Sequence, residues 1–532
     1  MLEFMLLLFF ITASPLILLM RVTRIDSLKY AYAGFYYVKF VPLLLALYAF
    51  NLTASYLKWK WTQLVWFIPR FFGYSHYNRD SISMESTRIP GTDYHMGYIP
   101  KNLPAELVYR WRKDKVYHNY IRSIIKANHD YANVPLGNFT APTPVADDEL
   151  KRFLVSSQIT HYLEKADGVL TFDMSHFVKE IRYSNSSFDV ASISIAEDLS
   201  PASIRIAMRD GTVVGPGDAH WDLAKIYFMS NTMVFFILGA HLHHHLFFAE
   251  MGAALMFNQV PRESNFHKLM HPHTSYILML NHQFKSSPLS LRETTGIVDK
   301  FLYSCIGYYS SETFYKVGYE NALNMYNKRR TDDEAITQKF DIRFSIPFDR
   351  YLGGAYTLNA QYRDYYAAIS EFVESGYDDL ISDGSETHID LWVDELCRYV
   401  NIPRRTRDRA FNIEVISTFI WYVSFVHSLE HYQFHKYKRN YCLLTRLPFA
   451  VAKTLPMDKV FSQYDIWKSK HIVHTFGKNH LNSSVSESYG DVDYKFADPA
   501  LIQRQTQFKA TVAELMKKHD TPNEAIALSI RY

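Results

Sequence analysis

Two long runs of the sequence carry no charged residue and yet contain histidines. Residues 226–249 include no Asp, Glu, Lys or Arg over 24 positions, and residues 415–429 include none over 15. A helix that is apolar on every side either crosses a bilayer or lies at the centre of a large core. Because an imidazole without a partner is costly in lipid, the histidines favour the core. We therefore predict a mainly α-helical protein built around two long buried helices.

The spacing of these histidines predicts a metal site. Residues i and i+4 of a helix lie on the same face, and two histidine pairs have this spacing: His241 with His245, and His427 with His431. Two such pairs on facing helices can bring four imidazoles to one ion, and imidazole suits Fe, Zn, Cu or Mn. His243 and His244 lie off that face, so we expect them to pack around the site rather than bind the ion.

Composition excludes several classes of partner. The chain has 57 Lys and Arg against 54 Asp and Glu, a formal net charge of +3, which is too balanced for a nucleic-acid surface. Its 3 cysteines are far apart and form no CxxC pair, which argues against a disulfide framework or a zinc knuckle. Hydrophobic residues make up 48% of the chain and aromatic residues 16%, so the interior can enclose an apolar pocket.

The N-terminal segment predicts membrane attachment. Residues 4–20 and 40–57 are uncharged runs of 17 and 18 residues, each near the minimum length for a membrane span. Residues 61–72 contain two tryptophans and suit the membrane interface. We expect residues 1–72 to form the membrane-anchoring segments, with a cleaved signal peptide as the alternative for the first run. An endomembrane or secretory location is permitted by glycosylation sequons at Asn51, Asn138, Asn185 and Asn482.

We predict that the rest of the chain, residues 73–532, forms one domain. The proline-rich residues 73–145 predict a wrapping segment with few long elements. From residue 147 onward the periodicity is mostly helical, beginning with a helix over 147–166. Residues 202–218 interrupt it with alternating apolar residues and an Asp-Gly turn, which predicts short strands.

Several motifs, taken in order, resemble the catalytic domain of lipoxygenases. The first is HWDLAKIYFMSN at 220–231, followed by His241 ten residues later and by HKLMHPH at 267–273. Residues 365–399 are similar to a long helix of that family. The next match is WYVSFVHSLEHYQF at 421–434, followed by TRLP at 445–448 and FKATVAELMKK at 508–518. Each piece is weak alone, and the ordered combination is specific. The resemblance spans residues 145–520, and it implies a lipoxygenase-like helical catalytic domain.

The resemblance also implies a chemistry. It makes His241 the first, His427 the third and His431 the fourth ligand of a mononuclear non-haem iron, with manganese as a possible replacement. Such a site removes hydrogen from a bis-allylic carbon of a polyunsaturated fatty acid or similar polyene acyl chain. Dioxygen then adds to the carbon radical and gives a hydroperoxide. The implied partners are the lipid substrate, O2 and the membrane, and the substrate-binding residues are not indicated.

The sequence departs from the family pattern at two places. The family's first two histidines are five residues apart, but five residues after His241 stands Leu246, which cannot bind a metal. We therefore assign His245 as the second ligand, with a regular helix there and an extra residue that restores the register before Glu250. In addition, the family ends in an isoleucine whose carboxylate closes the metal site. Here Ile530 is followed by Arg531 and Tyr532, so the Tyr532 carboxylate is the candidate fifth ligand.

Two other functions stay open. HxxHH at His241, His244 and His245 and HxxxH at His427 and His431 are the boxes of membrane di-iron fatty-acid desaturases and hydroxylases. Those enzymes, however, place HxxxH first and at polar helix ends. The shifted second histidine and the altered C-terminus are instead compatible with a catalytically inactive lipoxygenase-like protein that binds a lipid. The sequence shows no counterpart of the β-barrel domain that precedes the catalytic domain in plant and animal members.

Overall fold

A computed structural model gives the architecture of the chain. The residues that it describes are 46, 49–50, 52–61, 81–88, 95–113, 145–157, 159, 163–175, 189–235, 249–279, 281, 357–399, 408–429, 447–461, 488–490, 492–521 and 526–530.

Helices dominate the described part of the chain, as the sequence predicts. Residues 49–50 and 52–61 are helical, and eleven α-helices follow them. In chain order they are α1 (Ala105–Lys113), α2 (Asp147–Ser156), α3 (Trp221–Phe235), α4 (Glu250–Gln259), α5 (Asn265–Thr274), α6 (Thr357–Ile381), α7 (Glu386–Tyr399), α8 (Arg409–Trp421), α9 (Phe449–Ala452), α10 (Met457–Val460) and α11 (Pro499–Lys518). A 3-10 turn spans Pro201–Ser203, and a π-helical turn, Tyr422–Val426, continues directly from α8.

Two antiparallel sheets accompany the helices. One is a hairpin of β1 (Ser83–Arg88) and β2 (His95–Asn102). The other has five strands in the order of the sequence: β3 (Leu163–Ala166), β4 (Val169–Asp173), β5 (Val190–Ala196), β6 (Arg205–Met208) and β7 (Val213–Val214).

The five-stranded sheet corrects part of the sequence prediction. Strands within 202–218 are confirmed by β6 and β7, but the helix expected over 147–166 ends at Ser156. Asp167 and Gly168, with φ of 49° and 74°, form the two-residue turn that pairs β3 with β4. An Asp-Gly pair in this left-handed conformation is typical of a tight hairpin, and it outweighs the helical periodicity of the residues before it.

The helix expected over 365–399 is two helices. Gly384, with φ of 86°, lies between α6 and α7, in a backbone conformation that favours glycine and ends a helix. Asn412 of α8 ties the two together, since its Nδ2 donates to the Tyr377 hydroxyl on α6 (3.1 Å) and to an Asp390 carboxylate oxygen on α7 (2.9 Å). Three helices of the core are therefore fixed to one another by a single buried amide.

The second charge-free run lies in the interior of the protein. Of the helices described, Arg409–Leu429 is long and apolar enough to cross a membrane, but 89% of its most apolar window is buried inside the protein. Its N-terminus is capped by Asp408, whose carboxylate accepts a hydrogen bond from the Phe411 amide at 2.8 Å. The prediction of a buried central helix is confirmed for this run.

Stacked aromatic rings fill the core around that helix. Phe425 lies between Tyr365 of α6 and Tyr489, with ring centroids 4.2 and 4.5 Å away. Phe372 of α6 stacks on Phe508 of α11 at 4.6 Å. Such offset stacks bury large apolar areas in a defined geometry. They hold α6 and α11 against the central helix.

Candidate active site

The first motif fixes the start of α3. Lys225, whose side chain is 5% exposed, pairs with the carboxylates of Asp147 and Asp222 at 2.9 Å each. Asp147 also accepts from the Trp221 indole at 2.7 Å. Asp222 is exposed, whereas Asp147 is partly buried. The Lys225–Asp147 pair sets the orientation of the helix, because removing Asp147 would leave the buried Lys225 ammonium without its less exposed partner. Residues of HWDLAKIYFMSN thus position α3. His241 follows ten residues after this motif in the sequence and lies outside the described residues.

The same motif also ties α3 to its neighbours. The Asn231 side-chain oxygen accepts from the amides of Asp189 and Val190 at 3.0 Å each, next to the start of β5. The Tyr227 hydroxyl donates to the carbonyl of Leu447, in the residues of TRLP. These polar side chains are therefore structural. They connect two of the segments that carry the family resemblance, 220–231 and 445–448, and tie the first of them to β5.

A π-helical turn comes directly before His427. The turn Tyr422–Val426 has His427 as its C-terminal cap, and His427 is fully buried. A π turn inserts one residue into a helix and rotates the side chains that follow it, so it is commonly found at functional sites. The sequence does not predict the π turn, because the apolar pattern of residues 415–429 is the same for either helix type.

A second π-helical residue lies near the other histidine run. Ala249 is π-helical, and α4 begins at the next residue, Glu250, which is buried. This is the place where the sequence analysis expects an extra residue to restore the register. His241 and His245 lie outside the described residues, so the helix type at His245 stays a prediction.

Ser424 joins the π turn to a buried tyrosine. Its hydroxyl donates to the Ile420 carbonyl and lies 2.8 Å from the hydroxyl of Tyr489. With the Ser424 proton on Ile420, the Tyr489 hydroxyl donates to Ser424. Burial raises the pKa of Tyr489 well above its ordinary value, although the hydrogen bond between the two side chains acts in the opposite direction. The Tyr489 phenol is therefore neutral and holds a hydrogen bond to Ser424, which lies three residues before His427.

The C-terminal residues 526–530 dock beside His427. All five are buried, and the Ala527 amide donates to the hydroxyl of Ser428, the neighbour of His427, at 3.0 Å. Ala527 also pairs with Ser488 in an antiparallel β-bridge. The tail is thus threaded into the core at the level of the candidate site.

His273 holds the tail from the other side. Its Nδ1 lies 2.7 Å from the Leu528 carbonyl oxygen, and its Nε2 lies 3.0 Å from the Tyr494 hydroxyl. A carbonyl can only accept, so Nδ1 carries the proton, and in the neutral ring Nε2 accepts from Tyr494. In the sequence, His273 is only the last residue of the motif HKLMHPH and has no indicated role. The structure gives it a positioning role that sequence spacing could not reveal.

The comparisons are consistent with this geometry. By sequence, no protein-family model and no curated protein matches the chain. By structure, the chain matches manganese lipoxygenase of Gaeumannomyces graminis with a TM-score of 0.58 at 12% identity, over 85% of this chain and 96% of that one. It matches coral 8R-lipoxygenase with a TM-score of 0.56 at 15% identity, over 84% and 79% of the two chains. The chain has a lipoxygenase fold.

A further match to this lipoxygenase fold is an engineered lipoxygenase solved in complex with arachidonate, with a TM-score of 0.56 at 15% identity. It covers 84% of this chain and 79% of that one. Identities of 12–15% mean that the fold has been kept while most side chains have changed. The resemblance inferred from the motifs is confirmed at the level of the fold.

Of the predicted site residues, the structure describes only His427. The other candidate ligands lie outside the described residues: His241, His245, His431 and Tyr532. Within the described ranges no group of three or more His, Cys, Asp and Glu side chains converges on one point. The ligand set therefore stays a prediction, carried by the sequence and by the position of His427 in the lipoxygenase fold.

The chemistry around His427 fits a metal. A fully buried imidazole in an apolar core is the neutral donor that Fe and Mn accept. Along the tail, the buried Ser529 hydroxyl has no hydrogen-bond partner among the described residues, which leaves a polar atom for another group. Ile530 is fully buried as well, but its carbonyl belongs to a peptide bond with Arg531, so it is not a carboxylate.

We predict that His273→Phe loosens the tail. The change leaves the Leu528 carbonyl and the Tyr494 hydroxyl buried without their partner, and we expect a loss of about 2–4 kcal/mol in the free energy of unfolding. Tyr494→Phe removes only one hydroxyl and should cost about 1 kcal/mol. Urea titration gives the energies, and hydrogen exchange of residues 526–530 gives the local effect. Equal exchange rates in wild type and His273→Phe would contradict the positioning role.

We also predict that His267 of α5 makes stability depend on pH. Burial, then the charges of His271 and Arg262, lower the pKa of His267 from 6.5 to about 4. Between these values the unfolded chain binds a proton that the folded chain does not, so the free energy of unfolding falls as the pH drops from about 6.5 to about 4. Below a pH of about 4, His267 causes no further change in the free energy of unfolding.

His267→Gln tests this dependence. Urea titration across that pH range should show a shallower fall for His267→Gln than for wild type, because glutamine takes up no proton. The same slope in both proteins would assign the acid sensitivity to other groups.

Proposed function

We propose that this protein is a non-haem metal-dependent dioxygenase that inserts O2 into a polyunsaturated fatty acid or a similar polyene acyl chain and yields a hydroperoxide. The observation that carries the proposal is the buried His427, placed at the end of a π turn and beside a docked C-terminal tail, inside a lipoxygenase fold. The arachidonate complex of an engineered lipoxygenase supports the substrate class.

The proposed metal is one Fe, or Mn in its place, as the name of the Gaeumannomyces graminis enzyme suggests. We propose that His241, His245, His427, His431 and the Tyr532 carboxylate hold it. When bound, the metal supplies the one-electron oxidation that makes removal of a bis-allylic hydrogen favourable, after which O2 adds to the carbon radical.

The residues of this chain provide the environment for that step. The stacked aromatic rings around Phe425 exclude water from this part of the core, which would protect a carbon radical from side reactions. Ser428 and His273 hold the tail at the site through hydrogen bonds to Ala527 and Leu528. Ordered in this way, the tail closes one side of the site, and an acyl chain needs only an apolar channel to reach it.

Metal analysis followed by an activity assay tests the proposal. One Fe or Mn per chain, oxygen uptake and the ultraviolet absorbance of a conjugated diene after incubation with polyunsaturated fatty acids would support it. Two Fe per chain would favour the di-iron desaturase or hydroxylase. Absence of any metal would favour the inactive lipid-binding protein. A metal-loaded sample that consumes no oxygen with these acids would refute dioxygenation of that substrate class.

We also propose that residues 1–72 attach the protein to a membrane of the secretory pathway, with residues 73–532 as the catalytic domain. The two uncharged runs at 4–20 and 40–57 support this, and the first lies outside the described residues. Extraction of cell membranes at alkaline pH tests the attachment, because peripheral proteins are released and anchored ones are retained. Complete release would contradict anchoring through these runs.

A further inference from the structure

A short helix near the N-terminus exposes large apolar side chains. Residues 49–50 and 52–61 are helical, and we call them the Trp59 helix. Phe50, Leu57 and Trp61 are 48%, 59% and 65% exposed. With about 100° between successive helical residues, these three lie within about 40° of one another and form one stripe. An exposed aromatic and aliphatic stripe of this kind marks an interaction surface.

The opposite face of the Trp59 helix is docked on the protein. Trp59 stacks on Tyr109 of α1 with ring centroids 5.1 Å apart and an interplanar angle of 17°, and Tyr56 lies 5.3 Å from the same ring. On that side Ser55 is 5% exposed. The helix α1 in turn packs on the core through Leu107. The stripe therefore faces away from the body of the protein and has a fixed orientation.

Positive charge borders the stripe. Lys58 and Lys60 are exposed, and each lies about 80° from Phe50 around the helix, one on either side. Lys60 lies over the Trp59 ring, with its nitrogen 4.3 Å from the centroid. Between residues 27 and 79 the sequence has six Lys and Arg and no Asp or Glu. An apolar stripe between lysines, in a segment without acidic residues, matches the interface of an anionic bilayer.

We propose that the Trp59 helix lies in the plane of a membrane that contains anionic phospholipids, with Phe50, Leu57 and Trp61 inserted below the headgroups. Lys58 and Lys60 then meet the phosphates, while their alkyl stems extend over the apolar layer. This inference rests on the proposed membrane attachment and adds the lipid class, the inserted residues and the orientation of the protein.

The contacts of α1 determine that orientation. Trp59 and Tyr56 pack on Tyr109 of α1. If the Trp59 helix crossed the hydrocarbon layer, α1 would therefore have to enter that layer as well. Arg110 and Lys113 of α1 are exposed, and burying them in hydrocarbon is unfavourable. The Trp59 helix is therefore an interfacial element, and it places the catalytic body directly on the lipid surface from which an acyl substrate would come.

Accessibility of one labelled position tests the inference on the full-length chain. An environment-sensitive fluorophore is attached to the cysteine of the variant Leu57→Cys. The three native cysteines are removed by Cys305→Ser, Cys397→Ala and Cys442→Ser, so that only this position is labelled. Val213→Cys on β7 is the matched control, since Val213 is 57% exposed and Leu57 is 59% exposed. Quenching by aqueous iodide is measured without vesicles, with phosphatidylcholine vesicles, and with vesicles that also contain phosphatidylserine.

We expect quenching at residue 57 to fall about fivefold on the anionic vesicles, as for a side chain below the headgroups, and quenching at residue 213 to stay the same. Lys58→Glu combined with Lys60→Glu should remove this protection. Full quenching at residue 57 in vesicle-bound protein would overturn the inference and leave membrane attachment intact. Protection without vesicles that increases with protein concentration would also overturn it, because a second copy would then cover the stripe. A chain that binds no vesicles would refute both the interfacial position of the Trp59 helix and the proposed membrane attachment. None of these outcomes bears on diene formation, which tests the proposed dioxygenase separately.

Discussion

His427→Ala is expected to abolish metal retention and to lower diene formation by more than about a hundredfold. His427 is the one predicted ligand that the structure describes, and it is fully buried directly after a π turn. Loss of a residue that merely supports a ligand already weakens metal sites by about 10–100-fold, so loss of a ligand should exceed that. The measurement is metal content per chain after purification, combined with the diene assay.

His243→Ala is the control for this variant. It lies in the same histidine-rich run as His241 and His245 but off their shared face, so it should largely preserve the metal. Equal metal loss in both variants would mean that the proposed ligand register is wrong. Because His427 is buried, its replacement could also impair folding. The unfolding of His427→Ala is therefore compared with that of metal-free wild type. A His427→Ala chain that unfolds like metal-free wild type shows that lost binding, and not lost folding, explains the result.

Gly252→Ala should be the most destabilising of the glycine substitutions in the described helices. A Cβ at Gly252 would lie 2.2 Å from Cε2 of Phe419, well inside any tolerable contact. The ring has little room to move, because it meets Trp392 edge-on at 5.4 Å, and the Trp392 indole donates to the Gly252 carbonyl at 3.0 Å. Overpacking of a dense core costs about 1–3 kcal/mol and occasionally more, and we expect about 3 kcal/mol here.

Two further variants isolate the cause. Gly376→Ala on α6 is the matched control, since its Cβ would meet only side-chain atoms at tolerable distances: Cδ of Arg504 at 3.3 Å and Cδ2 of Leu501 at 3.6 Å. Alanine favours a helix over glycine by about 0.5–1 kcal/mol, so this variant should be close to wild type or slightly more stable. Phe419→Leu should recover part of the stability of Gly252→Ala. Urea titration gives the free energy of unfolding of wild type, Gly252→Ala, Gly376→Ala and the double variant Gly252→Ala with Phe419→Leu. An equal loss of this free energy in both glycine variants would contradict the packing argument.

The fold was largely predictable because its signals are local. The charge-free run at 415–429 identified a buried helix, and the order of the motifs identified the lipoxygenase fold at a level that no family model detects. The prediction was wrong at Leu163–Ala166, where an Asp-Gly turn produces a strand at the end of a helical pattern. At the site, the spacing predicts His427 as a ligand, but it does not predict the contacts that surround this residue.

The sequence by itself determined which helices are buried and which side chains can bind a metal, because helical periodicity and donor chemistry act over a few neighbouring residues. Only the tertiary structure decided what surrounds His427. The Ala527 amide and Ser428 are 99 positions apart, and the Leu528 carbonyl and His273 are 255 apart. No local pattern encodes a hydrogen bond between such residues, because it forms only after the helices have packed and opened a path for the tail. The π turn before His427 likewise depends on packing, since the same apolar residues can form either kind of helix.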